Sequence, residues 1–153
     1  MIVVSDTSPL SALLAVGQAD ILLKLFDVVI IPEAVRTELS RAHPDLPEWL
    51  RSEAIKHHAE VTRLRHTVDL GEAEAIELAK ELRADRLLID ERKGRNLAAR
   101  EGVPVIGLPG VVLLAKRRRL IPSARDFVEQ LQAASGIYLA DELKNEAFRT
   151  VGE

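Results

Sequence analysis

Four acidic side chains occupy positions in the sequence where they could hold a divalent cation. Asp6 and Asp90 each lie just after a predicted strand, whereas Glu38 and Glu72 fall within apolar stripes of predicted helices. Carboxylates that lie close together cannot all ionise without a counter-charge. Carboxylate oxygens are the ligands that Mg²⁺ and Mn²⁺ prefer. Two such ions can activate a water molecule and stabilise the leaving oxygen in phosphodiester cleavage, so convergence of the four would predict a metal-dependent nuclease.

Glu38 and Glu72 differ from the other acidic residues near them because they lie on the apolar faces of their predicted helices. Glu72 lies one turn before Ile76 and points with the apolar stripe of its helix. Glu38 lies three residues after Val35 and four before Ala42, between the apolar positions of its own helix. The opposite face of the Glu72 helix is predicted to be an ordinary solvated face, and it carries Glu74, Glu77 and Glu81.

The two aspartates have a structural alternative, which is that each caps a helix. Ser8 with Pro9 at the first helical position is a good N-cap pair, which leaves Asp6 without an obvious capping role. Asp90 opens a predicted helix directly and could simply be its cap.

The two glutamates have structural alternatives as well. Glu72 could complete a capping box with Asp69 or could be favoured by the helix dipole in the first turn. Glu38 could be a boundary residue that pairs with Arg41. Taken singly, these roles are as reasonable as metal binding, so the hypothesis depends on all four carboxylates meeting in one crevice.

Short strands that alternate with longer helices predict a parallel sheet with crossover helices, and therefore the α/β class. The predicted strands are residues 2–4, 28–31, 86–89 and 103–106, with a weak one at 60–64. The predicted helices are residues 9–16, 19–26, 32–42, 46–57, 71–83, 91–101, 109–118, 123–134 and 137–148. Because no internal repeat or linker interrupts this order, we expect a single domain over residues 1–153.

Composition excludes several classes of protein. The 153 residues are 47% apolar and carry a net charge of −3, which argues against disorder and against a broad basic nucleic-acid surface. Cysteine is absent, so thiolate metal sites and a Cys nucleophile are excluded. No apolar run is long enough to span a membrane, and no basic segment precedes the apolar N-terminus, so we expect a cytoplasmic protein without a membrane partner. The four histidines fit no metal-binding helix motif and are expected at the surface.

Five stretches of the chain resemble the PIN-domain family. They are SDTSPL at 5–10, IPEAVRTEL at 31–39, DLGEAEAI at 69–76, LLIDER at 87–92 and VIGLPG at 105–110. The resemblance extends from Ile2 to about Leu143. It places the family's acidic residues on Asp6, Glu38, Glu72 and Asp90.

The resemblance implies a Rossmann-like α/β/α sandwich and an Mg²⁺- or Mn²⁺-dependent ribonuclease, most often the toxin of a VapC-type toxin–antitoxin pair. It also implies RNA as substrate, a small protein antitoxin as partner, and a homo-oligomer, either a dimer or a tetramer. Many members carry Asp in the third motif, where this chain has Glu72 with Glu74 nearby. In the fourth motif the metal-facing acid is Asp90 or the adjacent Glu91.

Two other functions compete with this interpretation. A phosphatase of the haloacid-dehalogenase kind needs a second Asp two residues after the first, and Ser8 occupies that position. A non-catalytic, protein-binding α/β module would use the acids only as helix caps. Basic charge near the start of a helix opposes the helix dipole, so Arg92, Lys93 and Arg95 are predicted to bind substrate or antitoxin. The run at 116–119 is predicted to be the basic end of a helix.

Overall fold

A parallel five-stranded sheet forms the centre of the computed structural model, which describes residues 1–153. The strands are β1 (Ile2–Ser5), β2 (Val28–Pro32), β3 (Arg51–Glu53), β4 (Arg86–Leu88) and β5 (Val105–Ile106), in the order β3-β2-β1-β4-β5. The helices are α1 (Thr7–Ala15), α2 (Asp20–Phe26), α3 (Glu33–Ala42), α4 (His58–Leu64), α5 (Leu70–Leu82), α6 (Arg92–Arg100), α7 (Leu108–Arg117), α8 (Ala124–Ser135) and α9 (Asp141–Thr150). All four strand pairs are parallel.

Both faces of the sheet are buried, which explains why its inner strands are apolar without alternation. One face packs against α1, α2, α3, α7, α8 and α9 and presents Val3, Val29, Ile31 and Leu88. The other face packs against α4, α5 and α6 and presents Val4, Ile30, Leu87 and Ile89. Two separate apolar cores on opposite sides of one sheet make a three-layer sandwich, so the predicted α/β fold is confirmed.

Two predicted elements are wrong, and they are neighbours. Residues 46–57 do not form a helix, because β3 pairs there with β2 at the sheet edge and leaves its three side chains exposed. An edge strand that packs on nothing has no apolar alternation to reveal it. Residues 60–64 belong to α4 rather than to a strand, since Val61 and Leu64 are three residues apart and both are buried on one helical face.

No single helix is both long enough and apolar enough to cross a membrane. Only α1 and α2 taken together reach that length and composition, and they are bent by 119° relative to each other.

Candidate active site

The order of the strands reverses at β1, which has β2 on one side and β4 on the other. In parallel sheets a crevice opens at this point, beyond the carboxyl ends of the two diverging strands. Asp6 follows β1 directly, and its backbone N–H donates to the carbonyl of Leu88 at the end of β4 (2.9 Å). The crevice therefore opens beside Asp6, as its position after the first strand suggests.

Asp6 occupies the N-cap position of α1, because the helix begins at Thr7 and not after Ser8 as predicted. Its side chain makes no capping hydrogen bond, and the residue is only 6% exposed. Burial raises the pKa of Asp6 to about 7, and the charges of Asp69, Glu38 and Glu91 add to the rise. The aspartate is thus held inside the protein with acidic groups around it.

Glu72 lies in the first turn of α5 and is 5% exposed. Asp69 is the N-cap of this helix, and its Oδ1 accepts a hydrogen bond from the Glu72 backbone N–H (2.9 Å). Burial raises the pKa of Glu72 to about 9, and a hydrogen bond with Glu91 and the charges of Asp69 and Asp6 act in the same direction. The capping interaction expected between Asp69 and the first turn is present, yet it leaves the Glu72 carboxyl group free to face Asp6.

Glu38 reaches the same crevice from α3, where it is half-buried. Its carboxylate lies directly over the backbone of Gly71: a Cβ atom on that glycine would be 2.5 Å from Glu38 Oε1 and 3.7 Å from Asp69 Oδ1. The absence of a side chain at Gly71 is therefore what admits Glu38 to the start of α5.

Asp90 is set apart from the other three acids. Its Oδ1 accepts a hydrogen bond from the Leu108 backbone N–H at the start of α7 (2.8 Å), so it caps α7 and not the helix that follows it. Burial raises the pKa of Asp90, while the Leu108 N–H and the charge of Arg95 lower it. The other oxygen, Oδ2, is buried and has no hydrogen-bond partner.

The two alternative ligands have different surroundings. Glu74 accepts a hydrogen bond from the Ala34 backbone N–H in the first turn of α3 (3.0 Å), so it joins α5 to α3. Glu91 is exposed at the start of α6, and it contacts Glu72 through a side-chain hydrogen bond. Glu91 therefore belongs to the acidic group in the crevice, and Glu74 does not.

The structure brings Asp6, Glu38 and Glu72 together with Asp69 and Glu91. Asp69 was predicted only as a helix cap. No strand directly precedes it, since β3 ends at Glu53 and β4 begins at Arg86, so the sequence gave no sign that its charge would act on Asp6. No basic side chain is among the main groups that shift the pKa of Asp6 or of Glu72, so ionisation of these acids together would require a counter-charge from outside the chain.

The donor set of this crevice fits a hard divalent cation. Every candidate ligand is a carboxylate, which suits Mg²⁺ or Mn²⁺ and not a metal that prefers sulfur or nitrogen. Two of the three buried side-chain atoms without a hydrogen-bond partner, Thr7 Oγ1 and Asp90 Oδ2, belong to residues within two positions of the carboxyl ends of β1 and β4. Such atoms are costly to bury, and a bound ion with its water shell would satisfy them.

A basic cleft of about 500 Å³ lies on the outer side of α6, between that helix and the segment before α5. Its lining includes Thr67, Lys93, Asn96 and Arg100. Lys93 follows Glu91 by two residues and Thr67 precedes Asp69 by two, so the cleft adjoins the acidic crevice. Arg95 is not part of it, because its guanidinium donates to the Ile89 carbonyl (3.2 Å) and lies beside Asp90.

Comparison with known proteins identifies the family of this fold. A PIN-domain family model, DUF3368, matches residues 2–153. No curated protein and no solved structure matches the chain. Because the family model covers nearly all of the sequence, the chain belongs to the PIN-domain family, whose members are typically metal-dependent nucleases.

Proposed function

We propose that the chain is an Mg²⁺- or Mn²⁺-dependent endoribonuclease whose active site is the acidic crevice between β1 and β4. The observation that carries this proposal is the meeting of Asp6, Glu38 and Glu72 in a buried space without a basic partner. Three separate elements supply these carboxylates, so capping of one helix does not account for them together.

In this proposal Asp6, Glu38 and Glu72 hold the cation, and the buried Oδ2 of Asp90 completes the set. The cation supplies Lewis-acid activation of water and neutralises charge on the phosphate. Asp6 and Glu72, whose pKa values are raised to about 7 and about 9, would have to lose their protons to serve as ligands. Glu91, exposed at the rim, would be the general base toward the attacking water.

The basic cleft on α6 provides the contact to the substrate backbone. A protein with a net charge of −3 needs local positive charge to bind RNA. Lys93 and Arg100 project from the exposed face of α6 beside the acids. Phosphate contacts of this kind position a strand without reading its sequence, which fits an enzyme whose specificity resides elsewhere.

The PIN-domain resemblance supports a more specific biological role, which we also propose: a cytoplasmic VapC-type toxin that forms a homo-oligomer and is inhibited by a small protein antitoxin. The competing role, a protein-binding module without catalysis, predicts no effect of divalent cations on stability. Growth arrest on expression of the chain, relieved by co-expression of a small protein encoded beside it, is the outcome expected of a toxin.

The test of the nuclease proposal is RNA cleavage by purified protein with Mn²⁺ or Mg²⁺ and with EDTA. Asp6→Asn should lower the rate more than about 100-fold, since loss of even an outer-shell partner of a metal typically costs about 10–100-fold. The fold should survive, because the substitution removes a buried acid that its neighbours repel. Asp45→Asn, in an exposed loop away from the crevice, is the matched control and should cleave like the wild type.

Full cleavage by a highly purified Asp6→Asn protein would refute the assignment of this site. Wild-type protein that neither cleaves RNA nor gains thermal stability with Mn²⁺ would favour the binding-module alternative instead.

A further inference from the structure

The third buried atom without a hydrogen-bond partner lies far from the crevice. It is Oε1 of Glu77, in the second half of α5, and the residue is only 3% exposed. Its nearest positive group, Lys80 Nζ, is 3.6 Å away and makes a closer contact of 3.1 Å with Glu101. A carboxyl group buried this far with one oxygen unsatisfied is costly, and the proposed nuclease mechanism does not use it.

Glu77 is one of three side chains whose potential ligand atoms lie within 4.8 Å of one another; the others are His57 and Glu81. His57 Nδ1 is 3.2 Å from Glu81 Oε2 and 3.5 Å from Glu77 Oε2. A tetrahedral zinc ion with bonds of about 2.0–2.2 Å separates its ligands by about 3.3–3.6 Å. The two distances from His57 Nδ1 are therefore close to the spacing of ligands around one small metal ion, and without an ion the shorter contact, to Glu81 Oε2, is a hydrogen bond.

Backbone N–H groups hold one of these three side chains, Glu81, in place. Glu81 accepts hydrogen bonds from the backbone N–H groups of Lys56 and His57, at 2.9 and 3.1 Å. Burial acts to raise the pKa of Glu81, but these bonds, together with side-chain hydrogen bonds from Glu77 and His57, outweigh it and lower the pKa. The Glu81 carboxylate is therefore oriented without a cation. Glu77 and Glu81 are one helical turn apart and share a face of α5. Outer contacts of this kind are what fix ligands at metal sites.

We propose that His57, Glu77 and Glu81 form a second metal site that binds a zinc-class transition-metal ion and is distinct from the acidic crevice. An imidazole nitrogen with two carboxylate oxygens favours Zn²⁺ or Co²⁺ over Mg²⁺ and Mn²⁺. Three protein ligands leave one coordination position open, and the exposed His57 ring (66%) gives the ion access from solvent. The bound ion joins the segment after β3 to the C-terminal half of α5, the helix whose first turn carries Glu72.

The test is titration of metal-free, full-length protein with Zn²⁺ in the presence of excess Mg²⁺, followed by calorimetry, with Co²⁺ absorption as a second readout. We expect one Zn²⁺ per chain and a melting temperature that rises with Zn²⁺ concentration. His57→Ala should weaken Zn²⁺ binding by at least about 10-fold. His58→Ala is the matched control, because it removes the adjacent exposed histidine and should leave binding unchanged.

Asp6→Asn separates this site from the proposed nuclease site, since it should abolish RNA cleavage and leave Zn²⁺ binding intact. Retention of full Zn²⁺ affinity in both His57→Ala and Glu81→Gln would overturn the second site. Wild-type protein that binds no Zn²⁺ in the micromolar range would also overturn it, and would leave His57 as an ordinary ion-pair partner of the two glutamates.

Discussion

The two oxygens of Asp90 have different surroundings, and this difference allows its two roles to be separated. Oδ1 accepts the Leu108 N–H and so caps α7, whose own N-cap residue, Gly107, has no side chain. Oδ2 is buried without a partner and is available to an ion. Asp90→Asn keeps an oxygen for the cap and replaces the second one with an NH₂ group, whereas Asp90→Ala removes both.

We therefore expect Asp90→Asn to lose RNA cleavage with little change in thermal stability. Asp90→Ala should lose cleavage and also about 1–2 kcal/mol of stability, as is typical for the loss of a helix cap. Cleavage assays combined with urea denaturation measure both effects. Glu91→Gln is the neighbouring comparison: it should lower cleavage through loss of the proton acceptor and leave Mn²⁺ affinity unchanged, whereas Asp90→Asn should weaken Mn²⁺ binding. Weakened Mn²⁺ binding in Glu91→Gln but not in Asp90→Asn would make Glu91 the metal ligand of the fourth motif.

The acids of the crevice differ in how well sequence can identify them. Asp6 follows a strand, and Glu72 lies in the apolar stripe of its helix. Local sequence patterns are therefore enough to predict that both contribute to one site. Glu77 was expected on a solvated face, and that expectation is wrong because the residue is 3% exposed. Periodicity within α5 cannot reveal this, since Glu77 contacts His57, in the segment between β3 and α4, where the predicted elements were also wrong.

Helix α5 carries residues of both proposed metal sites. At its N-terminus, α3 and α5 approach each other closely. Glu38 crosses from α3 to lie over Gly71, where any Cβ atom would be 2.5 Å from its Oε1. The clash involves only the end of a flexible side chain, so the backbone can remain in place while the carboxylate moves away. A substitution at Gly71 therefore tests the position of Glu38 without altering its charge.

We expect Gly71→Ala to lower Mn²⁺ affinity and RNA cleavage by at least about 10-fold. Thermal stability should be maintained, because alanine is favoured over glycine in a helix by about 1 kcal/mol. Mn²⁺ titration and thermal melts of the variant give the two values. Gly102→Ala is not a suitable control, since Gly102 has a φ of +77°; Ser40→Ala, on the exposed side of α3, is suitable. Unchanged Mn²⁺ affinity in Gly71→Ala would show that Glu38 is not a ligand.

The order of strands and helices was more readily predicted than the strand at the edge of the sheet. Strands β1, β2 and β4 are recognisable as short, mostly buried apolar runs, and β1 and β2 are also rich in β-branched residues. Edge strand β3 has three exposed polar residues, so only its pairing with β2 makes it a strand. The packing of α4 and of the segment after β3 against α5 depends on tertiary contacts that a short stretch of sequence does not reveal.

The charge distribution of the whole molecule predicts how its stability depends on pH when divalent cations are removed. Four acids have raised pKa values in the folded state: Asp6 at about 7, Glu72 at about 9, Glu77 at about 7, and Asp90. Burial is the main cause for each of them. Because the folded chain binds more protons than the unfolded chain above about pH 4, these groups lose stabilising effect as pH rises through their folded pKa values.

The acids with lowered pKa values do not oppose this trend. Glu101, hydrogen-bonded to Arg63 and Lys80, and Glu153, which accepts from the N–H groups at the start of α8, both have a pKa of about 2. Their contribution grows only up to about pH 5 and is then constant. Among the groups with shifted pKa values, the buried acids therefore account for most of the change in the free energy of unfolding between pH 6 and pH 9.

In EDTA the melting temperature of the protein should fall between pH 6 and pH 9 by at least a few degrees. One pKa unit corresponds to about 1.4 kcal/mol, and 1 kcal/mol to about 2–4 °C for a chain of this size. Saturating Mn²⁺ should reverse most of the fall, because the cation replaces the protons on Asp6 and Glu72. Glu72→Gln should flatten the dependence in EDTA, whereas Glu33→Gln, an exposed acid of α3, should not. A melting temperature that rises over this range in EDTA, or a slope that Glu72→Gln leaves unchanged, would contradict the presence of protonated carboxyl groups in the crevice.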